Sequence, residues 1–137
     1  MRIKGFDGKL YSWNPEATQA IAQDEYQSSF HKKAKELLDN IFPYDRILEE
    51  VSLPGSKTDR RKTILRADLF IPNRDLMVEV HGEQHYKFNT FFYKNKLSFY
   101  KAKIRDVDKA EWCVINNIRL VIFNYNEDID EWRRKVE

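Results

Sequence analysis

Two short apolar runs, residues 64–71 and 76–80, constrain the fold of this chain more than any other feature. Both have the length and composition of β-strands. The segment Pro72-Asn73-Arg74-Asp75 between them is typical of a tight turn, so we expect an antiparallel hairpin. A turn symmetric about Asn73 and Arg74 places Asp68 opposite Glu79. Because side chains alternate between the faces of a sheet, one predicted face is apolar and holds Ala67, Leu69, Ile71, Leu76, Val78 and Val80, and the other holds Arg66, Asp68, Phe70, Met77, Glu79 and His81.

This register brings two carboxylates together in the middle of the predicted sheet. Directly opposite residues have Cβ atoms about 4.5–5.5 Å apart, and like charges at that separation destabilise a sheet. A buried pair of this kind needs a proton or a cation. Mg²⁺ is suitable because it binds one or two carboxylates together with a substrate phosphate. The alternative is that Asp68 and Glu79 are partly exposed, or that Arg66 and His81 neutralise them.

The rest of the pattern predicts a single α/β domain over residues 1–137, a length that suffices for one domain. Asp7-Gly8 predicts the turn of an N-terminal hairpin within residues 1–14, which either caps the sheet or contacts nucleic acid. The predicted helices are residues 24–41, 96–116 and 128–135, and the further predicted strands are residues 47–53 and 120–124. We therefore expect a core over residues 24–125, in which helices flank a mixed sheet with three antiparallel strands in its middle.

His85 follows the predicted strand end at Gly82, close to the acidic pair. A neutral imidazole in such a loop can accept a proton from water near neutral pH, although a structural role is the alternative. On the second long helix, one mostly apolar arc holds Phe99, Ala102, Lys103, Asp106, Val107, Ala110, Cys113 and Val114. An inward-facing Asp106 needs a partner. That partner is either His85, whose ring it would orient, or a basic neighbour, Lys103 or Arg105.

Charge is balanced over the whole chain but clustered locally. The 24 Lys and Arg against 22 Asp and Glu give a formal net charge of +2, which excludes a polybasic tail protein. It does not exclude a nucleic-acid-binding protein, because clustering of charge decides that property. The candidates for phosphate contacts are Lys57, Arg60, Arg61 and Lys62 in one loop, and Lys87 and Lys94 among aromatic residues. The alternative is that the aromatic residues pack in the core and the lysines are solvated.

The single cysteine, Cys113, excludes a disulfide framework and a Cys-rich zinc site, and its place in the second helix predicts a core residue. No run is long and apolar enough to span a membrane, and the first ten residues lack a targeting signal. We therefore expect an intracellular, cytoplasmic protein without a membrane partner.

Three segments together resemble a known group of nucleases. They are Arg66-Ala67-Asp68-Leu69-Phe70-Ile71-Pro72, Val78-Glu79-Val80-His81-Gly82-Glu83-Gln84-His85-Tyr86 and Arg105-Asp106. In this order and spacing they resemble the PD-(D/E)xK nuclease superfamily, and within it the very-short-patch-repair-like branch, which includes phage homing-endonuclease catalytic domains. The resemblance covers residues 28–125. It implies a restriction-endonuclease-like αβββαβ core, a metal-dependent DNA endonuclease and an origin in a phage that infects bacteria.

The resemblance also implies roles for individual residues. The implied ligands of Mg²⁺ or Mn²⁺ are Asp68, Glu79 and Val80; the implied general base or acid is His85, with Asp106 as its partner; Gln84 and His81 complete the implied active site. The implied partner is DNA, and homodimerisation is left open.

Two residues depart from the family pattern. His81 stands where a lysine is expected, and His31 stands on the first helix where relatives often carry Glu. Gln27 or Glu36 are candidate substitutes for that first-helix carboxylate. The departures leave two alternatives open, which are a DNA-binding module of the same fold without catalysis and a nuclease specific for junctions or mismatches.

Overall fold

A computed structural model describes residues 1–20, 28–88, 90 and 95–137. Within these residues the strands are β1 (Arg2–Lys4), β2 (Leu10–Ser12), β3 (Leu48–Ser52), β4 (Arg66–Ile71), β5 (Leu76–His81) and β6 (Arg119–Asn124), and the helices are α1 (Ser29–Ile41), α2 (Lys96–Ile115) and α3 (Ile129–Val136). The first two strands form the predicted hairpin, and the others form a mixed sheet flanked by helices. The predicted α/β class is confirmed, while the predicted helical residues 24–27 lie outside the described part of the chain.

The strand order of the main sheet is β3-β4-β5-β6. The first three strands are antiparallel, as predicted, and β6 joins β5 in parallel. A parallel neighbour needs a long crossover connection, which α2 supplies. The central hairpin has the predicted register, with Ile71 paired to Leu76 and Leu69 paired to Val78. Its turn ends at Asp75, which has a left-handed φ of 46°.

The sheet separates two apolar clusters. α1 and α3 cover the face that carries Leu69, Val78 and Phe123, and the Phe123 ring stacks on Trp132 of α3 with 4.7 Å between centroids. α2 covers the opposite face, on which Phe70 and Met77 lie. Full burial of a large apolar side chain contributes about 1.5–3 kcal/mol, so both clusters hold the sheet between the helices.

The N-terminal hairpin packs on the α2 side of the sheet. Trp13, which follows β2, is buried with its ring centroid 5.1 Å from Phe70 and 5.4 Å from Trp112. Ile3 of β1 belongs to the same cluster. Of the two roles considered for the hairpin, the structure therefore supports capping of the sheet.

The predicted alternation of side chains is wrong at Ala67, which packs in the cluster on the α2 side and not with Leu69. The cause lies on the neighbouring strand. Glu50 has a left-handed φ of 50°, and the pairing of β3 with β4 is interrupted between Glu49 and Val51. A left-handed residue reverses the alternation of the side chains beyond it, so both strands change faces at this point.

The inward face of α2 also differs from the predicted arc. Ala102 and Cys113 are buried as expected, but Val107 and Val114 are 66% and 74% exposed. The helix is turned so that Lys109 faces the sheet, where its ammonium group has a carboxylate partner. The predicted arc is drawn through the apolar residues and therefore does not include a buried lysine. None of the described helices has the length and apolar character needed to cross a membrane.

Candidate active site

A small cavity opens at the end of the sheet where β4 begins and β5 ends, with a volume of about 280 Å³. Its lining comes from the N-terminus of α1, from β3, β4 and β5, from the segment after β5 and from α2; the residues are Ser28, His31, Glu50, Asp68, Val80, Gln84, His85 and Lys109. Four of the predicted site residues, Asp68, Val80, Gln84 and His85, thus share one cavity.

Asp68 and Glu79 are neighbours, as the predicted register requires. The regular pairing of their strands ends before them, at Leu69 and Val78. The Asp68 N–H donates to Oε2 of Glu79 at 2.7 Å, and the Val80 N–H donates to Oδ2 of Asp68 at 2.8 Å. Each carboxylate therefore takes the place of a main-chain carbonyl. The strands separate here, and the carboxylate of Asp68 reaches the cavity.

Glu79 lies deeper than Asp68 and is only 2% exposed. Its Oε1 accepts a hydrogen bond from the Lys109 ammonium group, and its Oε2 accepts the Asp68 N–H. Burial, followed by the charge of Asp68, raises the pKa of Glu79. Burial acts to lower the pKa of Lys109, but the charges of Glu79 and Asp68 outweigh it and the pKa is raised. Both Glu79 oxygens act as acceptors, as they do in a carboxylate paired with an ammonium group.

Sequence reasoning missed Lys109. The family pattern directs attention to the second residue after Glu79, which is His81, whereas here the ammonium group comes from a helix further along the chain. A signal was available, because Lys109 lies three residues after Asp106 and four before Cys113 and so shares a helix face with both.

Glu50 is a second residue that the sequence did not reveal. It lies on β3 beside Asp68, it is half-buried, and both carboxylates line the cavity. Burial, followed by the charge of Asp68, raises the pKa of Glu50. The connection between β3 and β4 is too long to fix their register from sequence, so nothing in the pattern placed Glu50 here.

The donor atoms at this end of the sheet fit a hard divalent cation. Asp68 and Glu50 present two carboxylates with like charge to one cavity, and Val80 lines the same cavity. Mg²⁺ and Mn²⁺ prefer oxygen ligands of this type. Glu79 differs, because its two oxygens are already bonded within the protein. Glu79 lies behind the cavity, where its hydrogen bond to the main chain of Asp68 holds that residue in place.

His85 and Asp106 form the predicted pair. Nδ1 of His85 lies 3.0 Å from Oδ2 of Asp106, so the carboxylate accepts the Nδ1–H and leaves Nε2 as the basic nitrogen. Burial acts to raise the pKa of Asp106, but the hydrogen bond and charge of His85 outweigh it and the pKa is lowered. The alternative partner Lys103 instead lies over the Tyr86 ring, with its Nζ 4.8 Å from the centroid.

His81 stacks on His85, with 3.9 Å between ring centroids and 6° between ring planes. Its Nε2 is 3.9 Å from Oδ1 of Asp106, and its Nδ1 is 3.3 Å from the hydroxyl of Tyr86. Burial, followed by the nearby His85, lowers the pKa of His81 to about 4. His81 is therefore a neutral imidazole at neutral pH.

The first helix supplies a histidine to the cavity at the position where the PD-(D/E)xK pattern often has a carboxylate. His31 is buried, and its Nε2 is 3.0 Å from Oε1 of Glu49. Ser28 caps this helix by accepting the His31 N–H. Of the two candidate substitutes, Glu36 is exposed and does not line the cavity, and Gln27 lies outside the described residues. The carboxylate beside Asp68 comes from Glu50 on β3.

The predicted phosphate-binding residues have different surroundings. Lys57, Arg60 and Lys62 are exposed, and so is Lys87, whose Nζ is 3.6 Å from Glu83. The prediction for Lys94 lies outside the part of the chain that the structure describes.

Arg61 is held within the protein, unlike its exposed neighbours. Its side chain is 13% exposed, and its Nη2 donates to Oδ2 of Asp108 at 2.9 Å and to the carbonyl of Ser56. This pair joins the basic loop to α2. A groove of about 680 Å³ lies between the loop and the helix, with Arg60, Lys101 and Arg105 among its lining residues.

Comparison with known proteins identifies viral relatives. The chain is 41% identical over 61 residues to uncharacterized protein 307L of Invertebrate iridescent virus 6 and 39% identical over 61 residues to uncharacterized protein 033L of Invertebrate iridescent virus 3. Each match covers 44% of this chain and 31% of the relative, so the chain spans about a third of the length of these relatives. No protein-family model matches the chain. No solved structure matches it either.

Proposed function

We propose that this protein is a metal-dependent DNA endonuclease of the PD-(D/E)xK type. The observation that carries the proposal is the meeting of two kinds of group at one cavity. Asp68 and Glu50 provide oxygen ligands for a hard cation, and the oriented pair of His85 and Asp106 provides a base. Metal-assisted hydrolysis of a phosphodiester can use both kinds of group, the cation to stabilise charge and the base to activate water.

In the proposed reaction, the carboxylates of Asp68 and Glu50 and the main-chain carbonyl of Val80 would hold Mg²⁺ or Mn²⁺. A cation held there would polarise the scissile phosphate as a Lewis acid and stabilise charge on the leaving oxygen. Nε2 of His85 takes a proton from the attacking water as the new bond to phosphorus forms and the bond to the leaving oxygen breaks. Asp106 keeps the His85 ring in the reactive tautomer and stabilises the imidazolium that results.

Lys109 has a supporting role in this proposal. Its ammonium group lies among Glu79, Asp68 and Asp106, and each of their charges raises its pKa. It offsets part of the negative charge that a phosphate would meet at the cavity. In this way a lysine from α2 takes the place of the lysine that the family pattern expects at residue 81.

The proposed substrate surface is the basic loop, from which Lys57, Arg60 and Lys62 project. Such groups bind phosphates without selecting a sequence. The α2 side of the neighbouring groove, which includes Leu97 and Ile104, belongs to the proposed dimer interface instead. Because the proposed substrate is DNA, the proposed place of action is inside a cell. The relatives that the chain matches belong to viruses of invertebrates.

The proposed partner in solution is a second copy of the chain, bound through α2. Exposed apolar residues recur along one face of this helix at spacings of three, four, three and seven; they are Leu97, Tyr100, Ile104, Val107 and Val114. An antiparallel pair of helices makes them complementary. In that pairing Leu97 faces Val114 of the second copy and Ile104 faces Val107. Tyr100 faces Glu111, whose carboxylate can accept its hydroxyl proton. A homodimer would supply two active sites for the two strands of a duplex.

A plasmid-nicking assay tests the proposed activity. Wild-type protein is expected to nick supercoiled plasmid in Mg²⁺ or Mn²⁺, and Asp68→Asn to be at least about a hundredfold slower, equivalent to a loss of about 2.7 kcal/mol in transition-state stabilisation. Asp39→Asn, which alters an exposed carboxylate paired with Lys35 on α1, is the matched control and should cleave normally. Undiminished cleavage in excess EDTA overturns the proposal. Salt-sensitive DNA binding without nicking identifies the non-catalytic binding module instead, and cleavage confined to junctions or mismatches identifies the structure-specific nuclease.

A further inference from the structure

We propose that His81, His85 and Asp106 form a binding site for one borderline transition-metal cation of the Zn²⁺ class, separate from the hard-cation ligands Asp68 and Glu50. Its occupation would withhold His85 from catalysis. That consequence rests on the proposed function, whereas the binding itself does not.

The donor atoms of the three residues are already close together. One ligand atom from each residue lies within 4.8 Å of those of the other two. Asp106 bridges the two rings, with Oδ2 3.0 Å from Nδ1 of His85 and Oδ1 3.9 Å from Nε2 of His81. Two imidazoles with one carboxylate are typical ligands of Zn²⁺, and a water can complete a tetrahedron. The donor set at Asp68 and Glu50 contains oxygen alone and favours Mg²⁺ or Mn²⁺.

The surroundings of His81 prepare it as a ligand. The Tyr86 hydroxyl donates to Oδ1 of Asn124, so its oxygen is left to accept the Nδ1–H of His81. This bond leaves the Nε2 lone pair on the side of Asp106. A metal-binding histidine usually donates its other ring N–H to such a partner, which fixes both tautomer and orientation.

The stacked arrangement of the rings has no role in the proposed hydrolysis, which uses His85 alone as a base. Because an imidazole binds a metal in the plane of its ring, a small side-chain rotation that tilts the two stacked rings apart would direct one nitrogen of each at a cation beside Asp106. The site is accessible, because the side chains of His85 and Asp106 are 23% and 20% exposed. The remaining histidine and the single cysteine are engaged elsewhere. His31 contacts Glu49, and the buried Cys113 has its pKa raised to about 12 by burial.

Zn²⁺ and Co²⁺ titrations of the purified protein in the absence of DNA test the binding. Wild type is expected to bind one equivalent of Zn²⁺ by equilibrium dialysis and to develop the visible absorption of tetrahedral Co²⁺. His81→Gln and Asp106→Asn should each weaken Zn²⁺ binding by at least about tenfold, in line with the loss of one ligand. His31→Gln is the matched control, since it alters the one histidine outside the trio, and should bind as wild type does. Circular dichroism and thermal unfolding verify that each variant is folded.

The results have distinct meanings. Binding that is unchanged in His81→Gln and Asp106→Asn overturns the site, and so does the absence of stoichiometric binding to wild type. If both variants fail to fold, an NMR titration of wild type at constant pH decides the question. One equivalent of Zn²⁺ should broaden or shift the ring signals of His81 and His85. If Zn²⁺ leaves the signals of these two rings unchanged and alters those of His31 instead, the result counts against the site.

The regulatory consequence is measured separately in the nicking assay. One equivalent of Zn²⁺ added before Mn²⁺ should reduce the wild-type rate by at least tenfold, and a chelator selective for Zn²⁺ over Mn²⁺ should restore it. Cleavage supported by Zn²⁺ alone overturns the inhibitory role. If wild type never cleaves in Mn²⁺, the proposed function fails, but the dialysis and Co²⁺ results still decide whether the Zn²⁺ site exists.

Discussion

Lys109 and Glu79 form an ion pair inside the protein, with side chains that are 14% and 2% exposed. The pair joins α2 to β5 directly behind the cavity. Removing one member leaves an uncompensated buried charge, which costs about 3–5 kcal/mol, whereas replacing both by neutral groups costs much less. This asymmetry makes the pair testable by a double-mutant cycle.

We expect Lys109→Met to lower the free energy of unfolding by about 3–5 kcal/mol. The double variant Lys109→Met/Glu79→Gln should be at least as stable as this single variant, because it no longer contains the buried, unpaired carboxylate of Glu79. Urea unfolding at neutral pH measures all members of the cycle. The matched control is the exposed pair Lys35 and Asp39 on α1, whose coupling should stay below about 0.5 kcal/mol. Equal coupling energies for the two pairs would contradict the prediction.

The part of the site that lies within one hairpin could be predicted from the sequence. Turn position and the period of two placed Asp68 beside Glu79, and the structure confirms that placement. Helical spacing turned Asp106 inward, and of the partners left open by the spacing the structure shows His85, 3.0 Å away. These inferences succeeded because each depends on local geometry, namely a short turn in one case and a single helix in the other.

Glu50→Gln should separate metal binding from folding. We expect the affinity for Mn²⁺ to fall at least about tenfold, because one of two carboxylate ligands is lost. The pKa of Glu50 is raised, so its ionised form opposes folding above its ordinary pKa, and the neutral Gln should leave stability in EDTA unchanged or slightly higher. Isothermal titration with Mn²⁺ and urea unfolding measure the two effects.

Glu36→Gln is the control for this experiment, since Glu36 is exposed on α1 and was the candidate that the sequence offered. It should leave Mn²⁺ affinity unchanged. A larger loss of affinity in Glu36→Gln than in Glu50→Gln would return the missing ligand to the first helix.

The contributions of Glu50 and Lys109 could not be predicted, for physical reasons. Glu50 itself has a left-handed φ, and the strand register that brings it to the cavity is set by tertiary packing. Lys109 is buried because a carboxylate 30 residues earlier in the chain compensates its charge. Neither condition is visible in local periodicity, and the same buried lysine turned Val107 and Val114 outward against the predicted arc.

Asp106→Asn should reduce the rate of cleavage by about 10²–10⁴-fold while substrate binding is little changed. An asparagine amide can donate to Nδ1 of His85 and so favours the tautomer in which Nε2 carries the proton and cannot act as a base. Single-turnover cleavage and separate DNA-binding measurements distinguish the two effects. Asp39→Asn, which alters an exposed carboxylate on α1, is the control and should keep both binding and rate. A parallel loss of binding and rate in Asp106→Asn would argue for a purely structural role.

The lowered pKa of His81 predicts a specific loss of stability in acid. Its pKa is about 4 in the folded protein against an ordinary 6.5, so between these pH values the unfolded chain binds a proton that folded His81 does not. Stability is therefore present above pH 6.5 and declines as the pH falls towards 4. Because His81 is only 6% exposed, we expect a contribution of about 2 kcal/mol between pH 7 and 4.5. Urea unfolding from pH 7 to 4.5 in EDTA should show a shallower decline for His81→Gln than for wild type. Identical slopes would show that His81 titrates normally.

The apolar face of α2 predicts that the protein self-associates. Val107→Glu places a charge at the centre of the proposed antiparallel helix pair, opposite Ile104 of the second copy, and burying an unpaired carboxylate there is unfavourable. Sedimentation equilibrium should give wild type a mass twice the 16.5 kDa of one chain at high micromolar concentration, and Val107→Glu the mass of one chain. Leu10→Glu is the matched control, because Leu10 is an equally exposed apolar residue, 66% in both cases, on β2 away from this helix. Since the active-site cavity lies on the opposite side of α2, Val107→Glu should still nick one strand of a plasmid while losing concerted cleavage of both strands. A wild-type chain that is monomeric at every concentration, or a dimer that survives Val107→Glu, would show that α2 is not the interface.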